Sequence, residues 1–221
     1  MPTVTDALCQ RRSIRCFKPD PVDRQILKEI ISLARWSPSW GNTQPWRFWV
    51  FQGASLEKIK DLASQRVLKG EPFQPEIPMP AAWPEALKKR YGETGRLVLS
   101  SLGIEREDKK GRGDFYVEMS RLFGAPCLIV GTLPREVAVE YAMLDMGIII
   151  QSICLAAYAY GLGSCIMAAS VGYPDIIRQV GNVDVNTLIV MGIALGYAED
   201  APINRFPRPR IPVEEMVTWV D

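Results

Sequence analysis

The sequence predicts an α+β domain. Segments with the 3.6-residue apolar spacing of helices occur beside segments rich in β-branched and aromatic residues. The two kinds mix without the regular strand–helix–strand rhythm of a parallel sheet. One stretch, 139–160, is apolar on nearly every face and must therefore be surrounded by protein. The 221 residues fit a single domain, 1–221.

Residues 4–11 predict a short helix ahead of a basic run. Asp23 is a suitable N-cap for a second helix, whose apolar residues Ile26, Leu27, Ile30, Ile31 and Ala34 share one face. Pro38 and Gly41 break the chain, and 46–51 (WRFWVF) reads as a strand. Ser55 predicts the cap of a helix reaching about Leu68. Residues 71–84 are rich in proline and predict an irregular surface excursion. Charged helices are expected over 85–102 and 109–123, with 105–112 as a solvated connector. A buried strand is expected over 127–132 and the apolar helix over 139–160, with Gly161 closing it. The small-residue run 161–170 reads as a turning segment, 174–180 as a short helix and 187–197 as a central strand. The tail, 202–212, alternates proline with arginine and predicts an extended chain.

Composition narrows the chemistry. With 26 basic and 25 acidic residues the net charge is +1, which gives no general attraction to nucleic acid or to an anionic membrane. There is no histidine, so Ser–His and Cys–His catalytic pairs are excluded and a metal site is not expected. The five cysteines form no C-x-x-C pair and read as reduced, mostly packed thiols of a cytoplasmic protein. The first residues lack the long apolar core of a signal peptide. The apolar stretch 142–162 carries Asp145, Gln151 and Ser152, which favours a buried helix over a membrane span.

Four segments offer groups for a ligand. Arg11, Arg12, Ser13 and Arg15 place three guanidinium forks and a hydroxyl within five residues, a set that matches phosphate oxygens or equally a basic surface turn. Arg205, Arg208 and Arg210 form a second basic cluster on a proline-stiffened tail; it reads as the other half of a phosphate clamp or as a solvated tail. Residues 37–46 (SPSWGNTQPW) combine hydroxyls, amides, a glycine and aromatic surface that can line a flat ligand, or simply connect helix to strand. Residues 161–170 (GLGSCIMAAS) let backbone N–H groups approach a ligand, or let a loop pack tightly under the core.

Taken in order, RRSxR, SPSxxNxQPW, a long apolar helix ending GLGS, VMGIALGY and a C-terminal R-x-R resemble the FMN-dependent nitroreductase family across almost the whole chain. The resemblance is weakest over 71–123, a helical excursion variable in such proteins and a candidate lid. It implies a central mixed or antiparallel sheet flanked by helices, in an intertwined homodimer. It further implies that Arg11, Arg12, Ser13, Arg208 and Arg210 hold the FMN phosphate and ribityl chain, with Arg15 as a cation polarising the flavin pyrimidine edge. Pro38, Ser39, Trp40 and Asn42 would reach the cofactor from the partner subunit. Ile166, Met167, Ala168 and Ala169 would lie over the flavin ring, where Ala168 and Ala169 replace a glutamate and a glycine common among relatives.

The implied activity is reduction of nitroaromatic or quinone-like acceptors by NADH or NADPH, in a ping-pong hydride transfer through flavin N5. No side chain is assigned the chemistry itself. Flat, electron-poor substrates would be walled by Trp40; Phe115, Tyr116 and Phe123 could join that wall, though simple packing is the favoured reading of these three. The same fold also admits enone reduction, reductive dehalogenation, flavin breakdown or plain flavin binding.

Overall fold

The computed structural model describes residues 2–220. Four antiparallel strands form one sheet in the order β1–β2–β4–β3: β1 (Arg47–Gln52), β2 (Cys127–Pro134), β3 (Gly163–Met167) and β4 (Thr187–Gly196). The central pair, β2 and β4, is buried along nearly its whole length. Alternation along β2 sends Cys127, Ile129 and Leu133 to one face and Leu128 and Val130 to the other. The first face packs on α2 (Arg24–Ala34) and α6 (Val139–Ala159). The second packs on α3 (Gly53–Leu68) and α7 (Pro174–Gly181), with Phe115 and Met119 of α5 (Lys109–Ser120) at its margin. The result is three layers, helix–sheet–helix, with two cores. Helices α1 (Val4–Gln10) and α4 (Glu85–Ser100) lie outside them.

Local sequence explains most boundaries. Asp23 caps α2, its side chain accepting the Gln25 N–H at 2.6 Å. Helix α6 ends in a Schellman-type turn: Gly161 takes φ +75° and the Leu162 N–H returns to the Ala157 carbonyl at 2.9 Å. It is long and apolar enough to cross a membrane, yet Met146, Ile149, Ile153, Cys154 and Ala157 are buried in the first core.

Two expectations are corrected. The segment 161–170 is not simply a turn, because Gly163–Met167 pairs with β4 as an edge strand. Ser55 does not cap α3: Gly53, at φ +55°, starts the helix earlier, and the Ser55 hydroxyl donates to the Gln52 carbonyl at 3.0 Å. Helices α4 and α5 also stop short of the expected ends, at Ser100 and Ser120.

The proline-rich stretch 71–84 forms no helix or strand but is firmly anchored at its start. Phe73 packs edge-on against Tyr173, and the Gln74 N–H donates to the Gly172 carbonyl at 2.8 Å. The Glu76 carboxylate, with its side chain 15 % exposed, accepts from Arg178 Nη2 at 2.7 and 2.8 Å and from the Ile189 N–H at 2.6 Å, and it also pairs with Arg135. Beyond this anchor, residues 81–96 are exposed throughout.

Candidate functional site

Residues 9–16 and 204–208 meet at the edge of the sheet. Residues 13–15 run beside β3: Ser13 and Ser164 form a parallel bridge, and the Ile14 N–H donates to the Ser164 carbonyl at 3.0 Å. Glycine is required opposite, since a Cβ on Gly163 would sit 2.6 Å from Ile14 Cγ1. The tail returns to the same place. Arg12 donates to the carbonyls of Asn204 and Phe206, each at 2.7 Å, and Arg208 donates to the carbonyls of Arg11 and Cys9. The Arg15 guanidinium stands over the Phe206 ring, 5.8 Å from its centre.

Arg11, Arg12, Arg15, Arg208 and Arg210 thus gather in one cradle, and among the described residues none pairs with a carboxylate. Arg205 turns away to Asp200. Burial, and then the neighbouring charges of Arg12, Arg210 and Arg11, push the Arg208 guanidinium below its usual pKa. Arg11 Nε is buried with no hydrogen-bond partner among the described residues. A buried donor is seldom left unpaired, and crowded like charges are costly, so the donor set of this cradle is one an anion would suit. Arg12 and Arg208 spend their forks largely on backbone carbonyls and build the cradle; Arg11, Arg15 and Arg210 retain donors for a ligand.

The loop 37–46 is held on α6. Ser37 and Ser152 hydroxyls lie 2.7 Å apart, and buried Asp145 accepts the Trp40 N–H at 3.0 Å. Gly41, Asn42 and Gln44 all take positive φ, of 53°, 57° and 48°. Such conformations are uncommon outside glycine and concentrate at functional sites. The Ser39 hydroxyl accepts the Gln44 N–H at 2.9 Å, which fixes the curl. Trp40 is 66 % exposed and rests against Tyr141, with ring centres 4.8 Å apart. Trp40, Gln44, Arg47, Tyr141 and Asp145 line a cleft of about 480 Å³. Pro38 stands at the loop's start, and Trp46 turns into the core.

At the far end of β3, Ile166 is exposed and Met167 buried, and a 3-10 turn spans Ala168–Val171. The Ser170 hydroxyl donates to the Met167 carbonyl at 2.6 Å. Phe123 belongs to the second core beside Phe115, so these two rings pack rather than wall the cleft at Trp40. Tyr116 is exposed on α5. The three thiols Cys127, Cys154 and Cys165 are buried, and burial pushes Cys127 up to about 12, leaving it protonated and inert at neutral pH.

Sequence reasoning missed Asn204, the polar centre of the terminal junction, and Asp145 as the anchor of the loop. Asp145 was detectable in principle as a lone charge in an apolar helix.

A family model described as "Nitroreductase family" matches residues 8–197. The chain belongs to the nitroreductase family. Among its relatives, "Nitroreductase NfnB" of Mycolicibacterium smegmatis is 31 % identical over 95 % of this chain and 89 % of that protein. The "4-nitrobenzoate reductase" of Pseudomonas putida is 30 % identical over 92 % of this chain and 89 % of its own. In three dimensions, the FMN and NADPH-dependent nitroreductase NfnB of Sphigopyxis sp. strain HMH superposes with a TM-score of 0.95 at 33 % identity, each chain covered in full. The M. smegmatis NfnB complex with NADPH gives 0.92 at 29 % identity, over 99 % of this nitroreductase and 98 % of that chain.

Proposed function

We propose that this nitroreductase is an FMN-dependent oxidoreductase that uses NADH or NADPH to reduce nitroaromatic or quinone-like acceptors. The observation that carries the reading is the arginine cradle: five guanidinium groups from residues 11–15 and 208–210, with no carboxylate and no partner for buried Arg11 Nε among the described residues. That donor set fits a phosphate monoester, which brings about two negative charges and three acceptor oxygens. The relatives named above as nitroreductases and as FMN and NADPH-dependent proteins supply the chemistry.

Arg11 and Arg210, with Ser13 beside them, would grip the phosphate. Arg15 would hold a fixed positive charge near Ile166, Met167, Ala168 and Ala169, the segment we assign to the flavin ring. FMN held by these residues would supply hydride acceptance from a nicotinamide and electron donation to the acceptor, with protons from water. Arg15 would favour the reduced ring by stabilising the negative charge that reduction adds. Trp40 offers a flat, exposed surface for an electron-poor ring.

Pro38, Ser39, Trp40 and Asn42 are assigned to the site of a second copy, in a homodimer working in the cytoplasm. Exposed Tyr141, Leu144 and Ile148, spaced along one face of α6, support such a partner. Exposed α4 supports a lid role for 71–123.

The test is anaerobic mixing of the purified protein, loaded with FMN, with NADH and with NADPH, followed by addition of a nitroaromatic. Loss of visible flavin absorbance with one donor, and its return on adding the acceptor, is expected. A flavin that neither donor bleaches would leave a binding protein rather than an enzyme.

A further inference from the structure

The terminal junction has an uncharged centre. Asn204 is buried, and both ends of its side chain are satisfied by different parts of the chain. Its Oδ1 accepts the Arg15 N–H at 2.7 Å; its Nδ2 donates to the Cys16 carbonyl at 2.8 Å and the Glu199 carbonyl at 2.9 Å. Its own carbonyl accepts one arm of Arg12, and its N–H donates to Ala201 at 2.9 Å. Every polar group of this residue is therefore used, and its partners lie on the 11–16 segment and on residues 199–201, just ahead of the tail.

We propose that Asn204 is the positioning residue of the anion cradle, setting the spacing between the 11–16 segment and the 205–210 tail and so determining how tightly the site holds a phosphate. The argument is geometric. Arginine side chains are long and flexible, and a multi-point grip on one phosphate requires their backbones to be fixed relative to each other. Without Asn204, nothing among the described side-chain bonds restrains the Arg15 N–H, and the side-chain links from the 9–16 segment to residues 204–208 would be arginines alone: Arg12 on the carbonyls of Asn204 and Phe206, Arg15 on the Phe206 ring and Arg208 on Arg11 and Cys9. Those links must also resist the repulsion of Arg208 by Arg12, Arg210 and Arg11. A neutral amide suits this place: it donates to two carbonyls and accepts from one N–H without adding charge to a site that must attract an anion.

This inference rests on the flavin reading above, and its test separates the two. Apoprotein of the wild type, Asn204→Ala and Asn204→Ser is titrated with FMN and with riboflavin, which lacks the phosphate, alongside thermal unfolding of each. The wild type is expected to prefer FMN strongly. Asn204→Ala should weaken FMN binding about 30-fold, the equivalent of about one charge-assisted hydrogen bond, and leave riboflavin within about threefold. Asn204→Ser, which keeps a hydroxyl to accept the Arg15 N–H, should fall between them and serves if the alanine variant does not fold. Equal losses for FMN and riboflavin, or none for either, would overturn the positioning role while leaving the flavin site intact. A wild type that binds neither would overturn the flavin site and this role together.

Discussion

Two arginine clusters in this molecule are built from the same side chain and reach opposite ends. At Glu76, Arg178 and Arg135 meet a part-buried carboxylate, and Arg178 also donates to the Thr187 carbonyl at 2.7 Å and the Asp184 carbonyl at 2.6 Å. One carboxylate here offsets part of the charge of two guanidinium groups, and the group pins the 71–84 excursion to β4. At the terminal cradle, among the described residues, the guanidinium groups of Arg12, Arg15, Arg208 and Arg210 meet only backbone carbonyls and a ring, and Arg11 Nε meets no partner. The first cluster carries a carboxylate of its own; the second does not, and we assign its counter-charge to a ligand. Arginine count alone does not separate function from structure. What separates them is whether the fold supplies the counter-charge.

The largest effect should come from the cradle. Arg208→Ala together with Arg210→Ala should weaken FMN retention by about 3 kcal/mol, as read by flavin fluorescence on dialysis, with little change in Glu76-dependent stability. Unchanged affinity would make the tail a scaffold and erase the contrast. On the other side, Glu76→Gln should lower stability by about 2 kcal/mol, because two guanidinium groups lose their counter-charge, and leave FMN affinity alone; urea unfolding measures it.

The pH dependence sharpens the same contrast. Burial alone raises the Glu76 pKa, but hydrogen bonds from Arg178 and the Ile189 N–H, with the Arg178 and Arg135 charges, outweigh it and hold the carboxyl below its usual value. A depressed folded pKa adds stability above the unfolded value of about 4.3 and loses it as pH falls through the folded value. Wild type and Glu76→Gln should therefore differ at neutral pH and converge in acid. Added salt should weaken FMN binding more than it weakens folding, because salt screens the attraction between a doubly charged phosphate and the cradle. The smallest effect is expected at the loop: Asp145→Ala should cost about 1 kcal/mol, the loss of one hydrogen bond to Trp40, measured by thermal unfolding.

Local signals explain what was legible. The Asp23 cap, the apolar face of α2, the predominantly apolar α6 and the β-branched runs of β2 and β4 each specify their element within a few residues. The basic motifs at both ends were visible too, but their convergence was not, since Arg208 and Arg11 are separated by 197 positions. Strand β3 was hidden because Gly163, Ser164 and Cys165 have weak β preference, and pairing with β4 overrides it. Asn204 and Glu76 were invisible for the same reason: an amide in a tail and an acid in a proline-rich excursion acquire meaning only from partners more than a hundred positions away.

Tying residues 204–208 to residues 9–16 also sets an order of assembly. During synthesis Arg11, Arg12 and Arg15 precede every strand of the sheet, and the residues that lock them follow the last one. The sheet can therefore assemble before the cradle does. A substitution that unlocks this joint should disturb loading of an anion more than folding.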